Sequence, residues 1–178
     1  YTFDVMGRLT QEERPEGVSL GYGYDDNGNM TLLVTPKSVS HTFDYTGHNL
    51  RKEYATPISG SYLYVSDKER KLKSLTFPSG ILNQIVSYTY DNNHRVASIT
   101  YAGSNYLLGY DNDSLLTSIG SFTITRNANN GLPESVSDGT LTQTRGFNGY
   151  GEVDDYSDTV NAVNVYDVSL TRDNAGSD

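Results

Sequence analysis

The sequence predicts an all-β fold built from tandem antiparallel β-hairpins, and three observations lead to this prediction. Aromatic residues recur two positions apart, as at Tyr88 and Tyr90, which places both rings on one face of an extended strand. Asp or Asn then follows, with a residue tolerant of positive φ three positions later, and this is the composition of a tight turn. No window of useful length keeps apolar residues at a spacing of three and four without an intervening Gly, Pro or Asn.

The clearest unit is residues 88–99, YTYDNNHRVASI. Asp91 follows the aromatic strand and is suited to cap a turn with its own carboxylate. His94 occupies the corner at which positive φ closes the turn, a position that Gly prefers and that His tolerates. The chain then continues with β-branched and aromatic residues, as a returning strand does. The unit is predicted to be a hairpin.

Copies of this unit recur along the chain when it is aligned with the pattern Y-x-Y-D-x-x-G-[RN]-L. The turn position falls at residues 4, 25, 44, 65, 91, 111, 127, 148 and 173, which gives a repeat of about 20 residues with variable outer loops. The copy at Asp44 carries one additional loop residue, and the copy after Tyr62 and Tyr64 has Val65 in place of the Asp. A period of this length predicts a repeat architecture in which each unit packs on its neighbours.

The repeats assign structural rather than chemical roles to their most regular positions. These predicted positions are Tyr1, Phe3, Asp4, Gly7, Tyr22, Tyr24, Asp25, Gly28, Phe43, Asp44, Gly47, Tyr62, Tyr64, Tyr88, Tyr90, Asp91, Tyr110, Asp111, Asn127, Gly131, Phe147, Asn148 and Gly151.

YTFDVMGRLT, YGYDDNGNMT and YTYDNNHRVASI resemble the YD, or RHS, repeats of bacterial Rhs polymorphic toxins, of the encapsulating subunits of Tc toxins and of teneurins. The resemblance covers essentially the whole chain, and its specificity rests on several copies in register. It implies stacked hairpins that form one curved sheet, which spirals into a hollow β-shell. It also implies a secreted or cell-surface bacterial parent protein. The self-cleaving DPxG-type segment that follows the repeats in the family does not occur in this sequence, so autoproteolysis and toxicity are not assigned.

Length and repeat count predict one YD/RHS repeat segment spanning residues 1–178. It would contain about eight to nine repeats and be truncated at both ends, because Tyr1 and Asp178 both fall inside a repeat. Leu, Ile, Val and Phe are sparse, but 15 tyrosines supply ring area that can be buried while each hydroxyl stays hydrated or bonded.

Within a repeat, an apolar residue lies five positions after the turn Asp, and several copies add another three positions later, as in Met30 and Leu33. A spacing of three breaks strict alternation, so either both sheet faces are partly apolar or a bulge resets the register. We favour a bulge in every repeat, which would also add the twist and curvature needed by a shell wall.

Charge and composition narrow the possible partners. Thirteen basic and 22 acidic residues give a formal charge of −9, which argues against nucleic acid or an anionic membrane as the main partner. The basic run 68–73, KERKLK, is interpreted as a solvated, lengthened hairpin turn in preference to a patch for an anionic glycan or a charged cargo. Glu152, Asp154, Asp155 and Asp158 are interpreted as a hydrophilic loop.

Catalytic and metal chemistry find little support in the sequence. Residues 25–29 and 111–113 resemble fragments of calcium loops, but the bidentate Glu of an EF-hand is missing and position 36 is Pro36. His41, His48 and His94 are candidates for a metal ligand or a base, but His41 and His94 occupy repeat positions, and there is no cysteine. The common nucleophile-elbow, zinc-helix and phosphate-loop motifs do not occur. We therefore predict no enzyme activity, catalytic residue, metal site or cofactor.

The sequence favours a structural wall segment of an RHS/YD shell, which by resemblance encloses and protects a C-terminal toxin or effector polypeptide. The alternative is an extracellular adhesion or carbohydrate-binding module in which exposed tyrosines stack on sugar rings. The expected partners are the other repeats of the parent and an enclosed polypeptide, with a glycan in the alternative and no membrane insertion. Exposed strand edges of the isolated segment also predict self-association.

Overall fold

A computed structural model describes residues 1–15, 17–58, 60–79 and 84–171. The regular structure in these ranges consists of seventeen β-strands. The strands are β1 (Thr2–Phe3), β2 (Leu9–Glu13), β3 (Ser19–Tyr24), β4 (Met30–Val34), β5 (Ser40–Tyr45), β6 (Arg51–Ala55), β7 (Ser61–Ser66), β8 (Leu72–Thr76), β9 (Ile85–Tyr90), β10 (Val96–Tyr101), β11 (Ser104–Tyr110), β12 (Leu116–Ile119), β13 (Phe122–Arg126), β14 (Pro133–Ser137), β15 (Leu141–Phe147), β16 (Val153–Val160) and β17 (Val163–Ser169). Across the same ranges, no helix has the length and apolar character needed to cross a bilayer.

The chain divides into two compact units. The first contains residues 1–89 and 100–104, and the second contains residues 90–99 and 105–178. In the first unit each strand from β1 to β9 pairs antiparallel with the next. In the second, β11 to β17 pair in the same way. The predicted all-β fold of antiparallel hairpins is confirmed.

A one-residue bulge interrupts the hairpins β1/β2, β3/β4, β5/β6, β7/β8, β11/β12, β13/β14 and β15/β16. In β3/β4, for example, Gly23 is opposite Leu32 while Tyr24 is opposite Met30, so Thr31 is the extra residue. The equivalent residues elsewhere are Thr10, Lys52, Lys73, Thr117, Glu134 and Asp154. The predicted bulge is confirmed in these hairpins, where it increases the local twist just after the turn.

Successive hairpins of the first unit are joined by short ladders. The β2/β3 ladder contains three residue pairs, from Glu13 opposite Ser19 to Gln11 opposite Gly21, and the β4/β5 and β6/β7 ladders contain three pairs each. All three ladders lie beside the turn that connects their two strands. They end before the bulge, so the aspartate turns of neighbouring hairpins are not joined by strand pairing.

The two faces of the first unit differ in composition. Residues directly opposite one another share a face, and the register places tyrosines with Phe43 and His41 on one face, which we call the aromatic face. In β5 the aromatic-face residues His41, Phe43 and Tyr45 are half-buried, whereas Ser40, Thr42 and Asp44 between them are exposed. Among the described residues Pro78 is fully buried, and no other aliphatic or aromatic side chain is. Ring packing on one face therefore replaces a closed hydrophobic core.

The third and fourth repeats begin two residues later than the sequence predicted. Their turns start at Thr46 and Asp67, whose backbone N–H groups donate to the carbonyls of Leu50 and Lys71. Asp44 and Val65 instead lie within β5 and β7. A shift of two residues keeps every side chain on its own face, so the aromatic alternation could not distinguish the two alignments. With this correction the first four turns, at Asp4, Asp25, Thr46 and Asp67, are evenly spaced by 21 residues.

Three smaller interpretations also change. Gly47 does not have positive φ, and Asn49 takes that role with φ of 60°. The basic run does not lengthen its turn, because Arg70 donates to Asp67 in the same geometry as the other turns. Asp154, Asp155 and Asp158 lie within β16 rather than in a loop. The last predicted repeat, Thr171 to Gly176, falls outside the described residues except for Thr171, and so do Ser59 and Gly80 of two outer turns.

Candidate functional site

The recurring site of this chain is the turn of each aspartate hairpin, which we call the corner. In the corner at Asp25, the Oδ1 atom accepts the backbone N–H groups of Asn27 and Asn29 at 3.0 and 2.8 Å. The Asp4, Asp67, Asp91 and Asp111 carboxylates and the Asn148 amide oxygen accept the equivalent two N–H groups. Each cap satisfies two backbone donors that the sheet does not pair.

These hydrogen bonds lower the pKa of three corner carboxylates below the usual value of 3.8. For Asp4 and Asp91 the main cause is the backbone N–H of the residue four positions later, Arg8 and Arg95. For Asp25 the side-chain amide of Asn29 is the main cause. The corners therefore favour ionised carboxylates.

The closing residue of each corner adopts positive φ. Gly28 does so at 85°, and His94 at 64°. The structural role predicted for His94 is confirmed, and the same position is taken by Arg70 and Ser114 in other corners. Because glycine carries no Cβ, it adopts this backbone conformation at the lowest cost, whereas the other residues are held there by the capped turn.

Arg8 links the first corner to the second. Its Nε donates to Asp4 Oδ2 at 2.7 Å, and one of its terminal nitrogens donates to the carbonyl of Asp25 at 2.9 Å. The guanidinium carbon also lies 4.7 Å from the centroid of the Tyr24 ring. One side chain thus forms an ion pair within its own corner, and a hydrogen bond and a cation–π contact with the next corner.

Arg95 repeats this arrangement in the second unit. Its Nε donates to Asp91 Oδ2 at 2.8 Å, a terminal nitrogen donates to Ser114 Oγ at 3.1 Å, and its guanidinium carbon lies 4.4 Å from the Tyr110 ring centroid. In the second corner Asn29 takes the arginine position and donates to both Asp25 Oδ2 and Asn49 Oδ1. The residue four positions after the turn Asp is therefore the connection between corners.

A tyrosine hydroxyl completes the connection. Tyr24, immediately before the second turn, donates to the carbonyl of Leu9 at 2.9 Å, and Tyr45 donates to the carbonyl of Met30 at 3.0 Å. In the second unit, Tyr110 donates to the carbonyl of Val96 at 2.9 Å. We call this bond, from the tyrosine before one turn to the residue that follows the preceding turn, the latch.

Two corners of the second unit carry other residues at the latch position. Arg126 stands there before Asn127, where it donates to the carbonyls of Gly131 at 3.0 Å and Leu116 at 3.4 Å. Phe147 stands there before Asn148 and has no hydroxyl. The latch position therefore holds a long hydrogen-bond donor in the Asn127 corner and an aromatic ring without a donor in the Asn148 corner.

An aromatic stack on the aromatic face crosses strands β5 to β7 and ends at Phe77, just after β8. The Tyr54 ring lies nearly parallel to those of His41, Phe43 and Tyr62, with interplanar angles of 8°, 14° and 7°. Tyr62 meets Phe77 edge-on at 5.6 Å. Nδ1 of His41 is 2.7 Å from the Tyr54 hydroxyl, which gives His41 a structural role in the stack.

The remaining predicted candidates separate from one another. His48 is an exposed corner residue, while His41 and His94 lie in the stack and in another corner. Within the described part of the chain, no group of three or more His, Asp or Glu side chains is arranged to hold a metal. One carboxylate oxygen of Asp25 and one of Asp111 accept backbone N–H groups of their own turns.

Sequence reasoning missed the latch and the role of the arginine. The pattern contained the tyrosine and the Arg or Asn, but the latch acceptor is a backbone carbonyl that no side chain marks. The available signal was the recurrence of a long donor four residues after the turn Asp, at Arg8, Asn29 and Arg95. A donor that recurs at a fixed corner position has a partner in the neighbouring repeat.

Comparison with known proteins identifies the corner repeat. A family model described as teneurin YD-shell matches residues 1–115 and 80–177. The chain belongs to the teneurin YD-shell family. The YD-shell resemblance read from the repeats is confirmed, and the fold is that of a shell-wall repeat. A comparison of this YD-shell chain with curated proteins gave no match.

Solved structures show the same YD-shell fold at low sequence identity. The TcdB2-TccC3-Cdc42 crystal structure matches with a TM-score of 0.61 and 16% identity over 97% of this chain. The Photorhabdus luminescens Tc holotoxin pore matches with a TM-score of 0.61 and 15% identity, also over 97%. This chain covers 10% and 9% of those two chains, so it spans about a tenth of their length.

Proposed function

We propose that this YD-shell segment forms part of the wall of a hollow shell, which encloses and protects a toxin or effector polypeptide carried by the same parent protein. The observation that supports this most is the latch, because it joins corner to corner between successive hairpins. A wall built this way extends by adding hairpins and needs no closed core in each one. The similar structures include a Tc holotoxin pore.

The proposal includes two further properties: the segment has no enzymatic activity, and its parent protein is secreted from a bacterium. Its main partners are the other repeats and the enclosed polypeptide, and its negative charge disfavours nucleic acid and anionic membranes. The charged corner side chains are engaged in turn caps and inter-corner contacts rather than around a cleft. Self-association of the isolated segment through strand edges is part of this proposal.

The second candidate is an extracellular carbohydrate-binding module. It is favoured by Tyr166, which is 53% exposed and lines an open depression with Tyr156, Val153, Val168 and Leu170. The stack around Tyr54 disfavours it, because those rings cover one another's faces, which a sugar would need for stacking. The shell wall remains the better supported function.

Enclosure is tested by cysteine labelling of the intact parent protein, with any cysteine outside this segment replaced. This segment has no cysteine, and the neighbours Tyr62 and Leu63 in β7 point to opposite faces. Tyr62→Cys and Leu63→Cys therefore form a matched pair. In the parent we expect a bulky polyethylene-glycol maleimide to label one of the two and spare the other, while both label in the isolated segment. Equal labelling of both in the parent would contradict an enclosed face.

The identity of the enclosed polypeptide is tested at whichever of the two cysteines the bulky maleimide does not label in the parent protein. A benzophenone maleimide placed on that cysteine should crosslink, on irradiation, to the C-terminal part of the same parent chain. Crosslinking that is confined to neighbouring repeats, together with binding of the parent to neutral oligosaccharides that Tyr166→Ala abolishes, would favour the carbohydrate module.

A further inference from the structure

The junction between the third and fourth hairpins of the first unit differs from the two junctions before it. The β2/β3 junction has the Tyr24 latch and the β4/β5 junction has the Tyr45 latch. At the β6/β7 junction, Ser66 occupies the latch position immediately before Asp67. A serine side chain is far too short to span the distance that the phenol ring of tyrosine covers.

The arginine position is also changed at this junction. Leu50 is four residues after Thr46, where Arg8 and Asn29 stand in the earlier corners, and the leucine side chain has no hydrogen-bond donor. The capping residue is Thr46, whose side-chain hydroxyl accepts hydrogen bonds from the backbone N–H groups of His48 and Leu50 at 3.3 and 3.2 Å. Neutral groups therefore replace the turn carboxylate and the arginine found at Asp4 and Arg8, and the Lys52–Asp44 ion pair of this hairpin joins β5 to β6 without reaching the next hairpin.

The contacts that remain between this corner and the next are weaker than those at the two earlier junctions. The guanidinium carbon of Arg51 lies 5.2 Å from the Phe43 ring centroid in its own hairpin and 6.0 Å from that of Tyr64 in the next. The second distance is at the outer limit of a cation–π contact. The Tyr54–Tyr62 stack lies within the ladder, beyond the Glu53–Leu63 pair as seen from the corner, so it does not join the corners themselves.

We propose that the β6/β7 corner is a built-in seam that opens before the β2/β3 and β4/β5 corners of the first unit. The three-pair ladder and the ring stack hold the end of the junction at Ala55 and Ser61, whereas the contact described between the two corners is the long cation–π contact of Arg51 with Tyr64. The seam allows the first unit to flex at β6/β7 while the latched β2/β3 and β4/β5 junctions stay closed. This inference concerns the wall itself and does not depend on what the shell contains.

Hydrogen exchange of the whole chain, followed by mass spectrometry of its peptides, tests the seam. In the unchanged protein we expect the amides at the corner end of β6/β7, residues 51–52 and 64–66, to exchange faster than the equivalent amides at the β2/β3 and β4/β5 junctions. Ser66→Tyr restores a hydroxyl able to donate to the Arg51 carbonyl and should slow exchange at β6/β7 by about fivefold. Ser66→Phe adds the ring without the hydroxyl and is the matched control.

The reverse change is Tyr45→Ser, which removes the latch at β4/β5 and should speed exchange there towards the level of the seam, although the Asn29–Asn49 hydrogen bond remains. Equal exchange at the three junctions of the unchanged protein, or slowest exchange at β6/β7, would overturn the proposal without reference to any variant. Equal slowing by Ser66→Tyr and Ser66→Phe would overturn the role of the missing hydroxyl.

Discussion

The hydroxyl of Tyr24 donates to the backbone carbonyl of Leu9 at 2.9 Å, across the space between two successive corners. The strand ladder between these hairpins ends at Gln11 and Gly21, before it reaches the corners. The tyrosine therefore does more than supply a half-buried ring. It is placed immediately before the turn because only there can its hydroxyl reach the residue that follows the preceding turn.

Removing the latch hydroxyl should lower stability by a measurable amount. Tyr24→Phe keeps the ring and its contact with Arg8 but deletes the hydrogen bond, so we expect the free energy of unfolding to fall by about 1 kcal/mol. Tyr110→Phe should have a similar effect in the second unit, where Val96 is the acceptor. Urea denaturation monitored by circular dichroism measures both.

The matched control for these variants is Tyr106→Phe, since Tyr106 is 43% exposed on β11. Its midpoint should stay with that of the unchanged protein. A loss of stability in Tyr106→Phe as large as in Tyr24→Phe would mean that the latch is not the source of the effect.

The hairpins and the all-β fold were predictable because their signals are local. Alternating aromatic residues set the strand face, and Asp with Gly or His three residues later sets the turn. The starts of the third and fourth repeats were not predictable in this way. Asp44 and Thr46 are two residues apart and point to the same face of the sheet, so the alternation of side chains does not show which of them caps the turn. The latch was missed because the Leu9 carbonyl is a backbone group with no residue signature.

Calcium should not affect the stability of the chain. The Asp25 and Asp111 carboxylates already accept turn N–H groups, and the fragments that contain them lack a complete ligand set. Thermal melts in EDTA and in millimolar calcium should superimpose. A large rise of the melting midpoint with calcium would show that the carboxylates of these turns bind the ion.

Acid should weaken the corners. The pKa values of Asp4, Asp25 and Asp91 are lowered in the folded state, so their ionised forms stabilise the fold above the unfolded-state pKa. That contribution is lost as the pH falls through the folded-state values, which places the loss below about pH 4. Urea midpoints should therefore decrease between pH 5 and pH 3.

Asp91→Asn separates the titration from the turn cap. Asparagine caps the corners at Asn127 and Asn148, so the amide oxygen can accept the same N–H groups while carrying no charge. We expect a lower midpoint at pH 7, because the ion pair with Arg95 is lost, and a smaller decrease on acidification. An unchanged decrease in Asp91→Asn would assign the acid sensitivity to other groups.

In the β15/β16 hairpin the bulge leaves little room for a side chain at Gly146, two positions before the cap. At Gly146 an added Cβ would lie 2.8 Å from Asp155 Cβ and 2.9 Å from Asp154 Oδ1, because the bulge draws the returning strand close to this glycine. A Cβ contact of 2.8 Å cannot be relieved by rotating a distant side-chain atom, so the backbone must shift. Gly146→Ala should reduce the free energy of unfolding by about 1–3 kcal/mol. Gly149→Ala, in the turn of the same hairpin with no heavy atom within 4 Å of the added Cβ, is the matched control and should be nearly neutral. If the two substitutions cost the same in urea denaturation, the close approach at the bulge does not constrain this hairpin.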